Sequence, residues 1–303
     1  MMQSRQIVKH EEHDTLTFHS MNTIFFIQLP VEAMRKYSTM LVEQLQHIDK
    51  EWSRFTSDNE LARINQQKIG QVVAISPLLY ECLQQAQHYY EQTAGAFSPY
   101  LKQAMCAHGY DQPFPFTQTI ATEQVVSKQQ SPFIFLSEFR LKRVAMGEID
   151  LGGFAKGFII EKLATFLQQQ GVQDGMIDGG GDIRVWSGGY KTWKLAVADP
   201  YHQQAPPLTT ITLQNGAVAT SNRVYRSWSQ GGKLKHHLLD GRTGKVCQSN
   251  IIQVTVVTAR LTEAEVATKL CFLQQPLPFT DKVATYIVND QQQAQWQLIG
   301  KEQ

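Results

Sequence analysis

The chain has 303 residues, 42% of them hydrophobic, which supports a packed core and excludes wholesale disorder. Only 18% are charged, and 28 Lys and Arg against 27 Asp and Glu leave a formal net charge of +1. That balance, with no basic block, argues against a dedicated nucleic-acid surface. A polar lead-in occupies residues 1–20, and its opening MMQSRQIVKHEEHD lacks the apolar core of a secretory signal. No apolar run approaches the ~20 residues of a membrane span, so the expectation is a soluble, cytoplasmic protein without a membrane partner.

MNTIFFIQL (21–29) reads as a first strand, stopped by Pro30. Val31, Met34, Leu41, Leu45, Ile48, Trp52 and Phe55 then recur at steps of three, four or seven, one buried stripe on a long helix. Ser76 as N-cap and Pro77 at the first helical position announce a second helix, which runs through Leu79, Cys82, Ala86 and Tyr90 and stops before Gly95. From residue 100 to 132 the pattern weakens into connections containing Pro and Gln. FIFLSEF and RLKRVAM follow as two strands, and GFAKGFIIEKLATFLQQQG sets Ala155, Ile159, Leu163 and Phe166 on a helix ended by Gly171. Strand-like stretches come next (GMIDGGGDIRVW, WKLAVADP, TTITLQ, GAVATS, HHLLD and QVTVVTA), then the helix TEAEVATKLCFLQ and a closing hairpin of VATYIVND and QWQLIG. Helices packed on a mostly antiparallel sheet make the class α+β, read as one continuous domain over 21–303.

Three segments stand out chemically. Asp150-Leu151-Gly152-Gly153-Phe154-Ala155-Lys156-Gly157 leads from strand residues through two glycines into a helix, where free N–H groups and the positive dipole end suit an anion such as phosphate. A tight turn with no ligand explains the same glycines. Asp178-Gly179-Gly180-Gly181-Asp182 lacks the GxGxxG spacing of a dinucleotide fingerprint and reads either as ligand contact or as a bulge in a bent strand. In His236-His237-Leu238-Leu239-Asp240-Gly241-Arg242-Thr243-Gly244, strand alternation lets only one histidine face a given site, next to a turn. The four cysteines form no CxxC pair, which leaves a zinc site unsupported.

In series, these segments resemble the ApbE family of flavin transferases (FAD:protein FMN transferases). Met21-Asn22-Thr23 stands for the family's Met-Gly-Thr, and Ser53-Arg54-Phe55 with NELARIN, ending at Asn65, for its Ser-x-Tyr/Phe and Ser-x-Leu-x-x-x-Asn. Ala96-Phe97-Ser98-Pro99 stands for Ala-Phe-Asp-Pro. The Asp150–Gly157 motif and the Gly-Gly-Asp-Ile step at 180–183 are intact, Thr220-Ser221 follows, and HHLLDGRTG departs only at Gly241, where the family has proline. The resemblance covers Met21 to Leu273 and implies a single T-fold-related domain.

It further implies that FAD is the substrate, that its FMN half moves to a Thr or Ser hydroxyl of a flavin acceptor protein with release of AMP, and that Mg²⁺ assists. By the same resemblance Met21, Phe55, Ala96, Phe97, Ser98, Asp150, Lys156 and Leu239 line the FAD site. The Gly153 carbonyl, Glu265, Thr268 and position 269 surround the metal, and His237 and Asp240 are the catalytic pair, His237 helping to activate the target hydroxyl. Glu265 replaces an aspartate, and Lys269 falls where a protonated side chain cannot ligate a cation. Two readings stay open. Glu265 and Lys269 form a helical i,i+4 pair that weakens the metal site, or the Lys269 ammonium takes the cation's place and faces the pyrophosphate. Ser98 likewise removes a carboxylate, so the alternative function is an FAD-binding relative with impaired turnover. Oligomeric state and acceptor identity are not specified by any motif.

Overall fold

Alternating apolar and polar residues build the first hairpin of the computed structural model, which describes residues 12–119, 131–189, 191–202, 204–279 and 283–299. β1 (His13–Ser20) pairs antiparallel with β2 (Thr23–Pro30), with Ser20 opposite Thr23. In the two-residue turn between them Met21 and Asn22 take φ of 51° and 56°, the left-handed geometry that matches strand twist. The polar lead-in therefore holds a strand from His13 onward. Only Leu16 and Phe18 supply its apolar face, too weak a pattern to read on an edge strand.

α1 (Val31–Glu51) buries Met34, Leu41, Leu45 and Ile48 as its spacing predicts, whereas Phe55 lies beyond the helix end. α2 (Glu60–Asn65) starts at Asn59, whose side chain accepts from the Ala62 N–H at 2.8 Å. After β3 (Val72–Ala74), α3 (Pro77–Gln92) begins as expected, with Ser76 Oγ accepting from the Leu79 N–H. The stretch read as connections contains α4 (Lys102–Ala107) and β4 (Gln118–Thr119); residues 120–130 within it lie outside the described residues. β5 (Phe133–Leu136) and β6 (Arg140–Arg143) join β3 in a small antiparallel sheet.

α5 (Ala155–Gln169) leads to β7 (Asp174–Gly179) and β8 (Asp182–Ser187), a hairpin turned by Gly180 (φ 75°) and Gly181 (φ 96°). The glycine run is thus a turn, neither a strand bulge nor a lining of the cavity described below. It also needs room, because a Cβ on Gly180 would sit 2.1 Å from Thr23 Oγ1. β9 (Trp193–Val197) and β10 (Thr209–Leu213) form a hairpin, followed by β11 (Gly216–Asn222), β12 (Ser227–Gln230) and β13 (Lys233–His236). HHLLD is therefore mostly the segment leaving β13 rather than a strand. β14 (Ile251–Thr258), α6 (Leu261–Phe272), β15 (Val283–Asn289) and β16 (Ala294–Ile299) complete the chain order.

The main sheet has eight strands in the order β1-β2-β7-β8-β11-β14-β15-β16, every neighbour antiparallel. Strand alternation gives it two apolar faces. One carries Phe25, Ile27, Leu29, Ala217, Val254 and Val256, and packs against α1, α5 and α6. The other carries Ile183, Val185 and Val218, and is covered by Trp193, Leu195 and Ile211 of the β9–β10 hairpin. The class is α+β, as expected. Among the described residues no helix is long and apolar enough to cross a membrane.

Candidate active site

A cavity of ≈ 490 Å³ opens where the first hairpin turn, the segment before α5, the segment after β13 and α6 come together. All eight residues expected at the flavin line it: Met21, Phe55, Ala96, Phe97, Ser98, Asp150, Lys156 and Leu239. Gly153, His237 and Lys269 line it as well. Asp240, Glu265 and Thr268 do not.

Each wall has a local cause. The Met21 N–H donates to Asp49 Oδ2 of α1 at 2.7 Å, which holds the left-handed turn against the helix. Asp150 turns back on its own glycine loop, its Oδ1 accepting from the Gly152 N–H at 2.8 Å, while Arg54 donates to Oδ2. The Arg54 guanidinium lies 4.0 Å from the centre of the Tyr110 ring and 4.6 Å from that of Phe55, so one side chain ties an aromatic wall to the helix-opening loop. The Ala96 carbonyl accepts from the Gly241 N–H at 3.0 Å. A Cβ on Gly241 would stand 2.3 Å from the Gly95 carbonyl oxygen. Glycine at 241 is therefore required by close backbone approach, and proline would also remove the donor.

At the start of α5 the N–H groups of Lys156 and Gly157 have no backbone acceptor among the described residues, the arrangement that favours an anion. Lys156 Nζ donates to the Gly179 carbonyl at 2.7 Å and to Asp182, which anchors the ammonium to the β7–β8 turn. The imidazole of His237 has Nδ1 3.4 Å from the Arg226 carbonyl. A carbonyl only accepts, so Nδ1 carries the proton and Nε2 is the basic nitrogen. Burial, then Arg226 and His236, push the His237 pKa well below the ordinary histidine value and keep the ring neutral at neutral pH.

The sequence profile of the ApbE family matches residues 21–287. The chain belongs to the ApbE family. Among its relatives, the FAD:protein FMN transferase of Treponema pallidum is 25% identical over 71% of this chain, and that of Vibrio cholerae is 23% identical over 77%. The matched region spans 65% and 72% of their respective lengths. Solved structures agree in fold. The ApbE protein of Thermotoga maritima superposes with a TM-score of 0.78 at 21% identity, covering 94% of this chain and 96% of that one. The flavinyl transferase ApbE of Pseudomonas stutzeri gives 0.77 at 17% identity, covering 97% and 96%.

The expected Mg²⁺ does not fit the groups of this ApbE chain. Among the described residues no three His, Cys, Asp or Glu side chains gather as a metal site. The Thr268 hydroxyl donates to the Glu265 carbonyl at 2.8 Å and lies 2.9 Å from Ser221 Oγ, so its bonding is satisfied within the fold. Glu265 is 2% exposed, and its Oε2 has no hydrogen-bond partner among the described residues. Burial raises its pKa, with Asp182 adding to the rise and Lys269 and Lys156 opposing it. Beside the Gly153 loop stands Lys269, whose Cε would be 3.0 Å from a Cβ at that glycine.

Asp240 is a turn residue. Its carboxylate accepts from Arg242 Nε at 3.0 Å and from Nη2 at 2.9 Å, and also from the Arg242 N–H. These bonds hold its pKa below the usual carboxylate range against the cost of burial, and they leave it facing Arg242 rather than the cavity. Two cavity-lining arginines have no assignment in the sequence reading. Arg54 was seen only as the spacer of a motif, and Arg226, which lines the cavity, belongs to no motif at all. An unassigned arginine between two aromatic or polar motif residues was the one available signal for Arg54.

Proposed function

We propose that this ApbE chain is an FAD:protein FMN transferase. The observation that carries the reading is convergence: the anion-favouring loop Asp150–Lys156, the neutral His237 and the aromatic wall at Phe55 share one cavity. The pyrophosphate lies against the start of α5, and the flavin lies among Met21, Phe55 and Leu239. The acceptor Thr or Ser hydroxyl oxygen forms a new bond to the flavin-side phosphorus. The bond from that phosphorus to the bridging oxygen breaks, and AMP leaves with the electron pair. His237 Nε2 takes the hydroxyl proton, and its depressed pKa makes it an available but mild base. Holding hydroxyl and phosphorus in line is the main service of such a site, since phosphoryl-type transfer depends on positioning and charge stabilisation.

Incubation with FAD and a peptide bearing an acceptor threonine, beside an active family member, tests this directly. AMP release with covalent flavin on the peptide is expected. FAD binding without AMP would instead select the impaired-turnover relative that Ser98 and Glu265 suggest.

A further inference from the structure

Of the cations on the cavity wall, two are already engaged. Arg54 is held by Asp150, and Lys156 by Asp182 and the Gly179 carbonyl. Lys269 and Arg226 are different. Both line the cavity, and neither side chain has a hydrogen bond or an ion pair among the described residues. Lys269 reaches in from α6 beside the Gly153 loop, with Nζ 3.7 Å from where a Cβ on Gly153 would be. Glu265, one turn earlier on the same helix, is packed against Gly157, its Oε2 2.6 Å from a Cβ there. The carboxylate is thus wedged under the first turn of α5, and the ammonium projects past it toward the loop. Around the start of α5 stand two carboxylates, Glu265 and Asp182, and two ammonium groups, Lys156 and Lys269. That set is balanced as it stands, so a divalent cation added to it would bring two positive charges with no further carboxylate to offset them.

We propose that Lys269, together with Arg226, supplies the positive charge that neutralises the FAD pyrophosphate in this chain, in place of a divalent cation. The proposal rests on the transferase reading and deepens it. As the bridging P–O bond breaks, its electron pair moves onto the oxygen leaving with AMP. A fixed ammonium and guanidinium beside the pyrophosphate stabilise that charge without a metal.

The test is FAD affinity, read by flavin fluorescence quenching on the full chain, with EDTA or with millimolar Mg²⁺, and AMP release under the same two conditions. Expected are affinities equal within about twofold and turnover unaffected by EDTA, with Lys269→Met weakening FAD binding at least about tenfold and Lys269→Arg restoring most of it. Wild-type binding or turnover that rises about tenfold on adding Mg²⁺ overturns the proposal while leaving the transferase reading intact. The proposal also fails if folded Lys269→Met binds FAD as wild type does. No FAD binding in either condition removes both readings.

Discussion

Arg54 and Asp150 form an ion pair whose side chains are 7% and 5% exposed. Truncating one partner of such a pair leaves a desolvated charge without compensation. Arg54→Ala is therefore expected to lower stability by about 3–5 kcal/mol in urea unfolding. Adding Asp150→Asn to it should recover part of that loss, and a strictly additive double mutant would show that the two charges do not interact. The histidine pair makes a second prediction, with its sign set by burial. His236 is pushed down to about 4 by burial and Arg223, and His237 well below its ordinary value. The unfolded chain binds protons near the ordinary pKa of about 6.5 while the folded one resists. The stability His236 contributes is thus complete above that pH and drains away as the pH falls toward about 4, by up to about 1.4 kcal/mol per unit, and His237 acts in the same direction. Urea midpoints of wild type and His236→Gln across that window should converge as the pH drops; parallel curves would show that His236 titrates normally.

Helix contacts set a second group of constraints. In an unobstructed helix Gly→Ala stabilises by about 1 kcal/mol. In α5 a Cβ on Gly157 would meet Glu265 Oε2 at 2.6 Å and Cδ at 2.7 Å, and Glu265 is buried between the two helices. Gly157→Ala should therefore destabilise by about 1–3 kcal/mol as α5 and α6 are forced apart. A raised melting temperature would mean that the two helices part freely there. The elements legible in the chain were those with local signals. Ser76 followed by Pro77 placed the start of α3, and the Met34-to-Ile48 stripe placed α1. β1, α4 and β12 carry no such signal, because each is short or one-sided and has too few apolar residues of its own to mark a period.

The eight-stranded sheet holds the loop before α5, the segment after β13 and the tip of α6 against one cavity, so ligand binding should be felt by the whole fold. FAD at about a hundred times its Kd is expected to stabilise the folded chain by about 2.7 kcal/mol, seen as one cooperative shift in melting temperature, with no shift from NAD. A shift from NAD equal to that from FAD would mean that the cavity does not discriminate flavin. From its order of residues alone the chain specified the α+β class, because helix starts and strand alternation are local; the family and the eight lining positions rest on the resemblance to ApbE motifs, which carry their own spacing. Which polar groups are hydrogen-bonded within the protein and which face the cavity was settled by the fold. Asp240 is taken by Arg242, Lys156 by Asp182 and Thr268 by Ser221, whereas Lys269 and an unheralded Arg226 face the cavity. Pairing of that kind joins residues 26 to 47 positions apart, or neighbours across a turn, and it depends on distances that exist only once the sheet has closed its strands together.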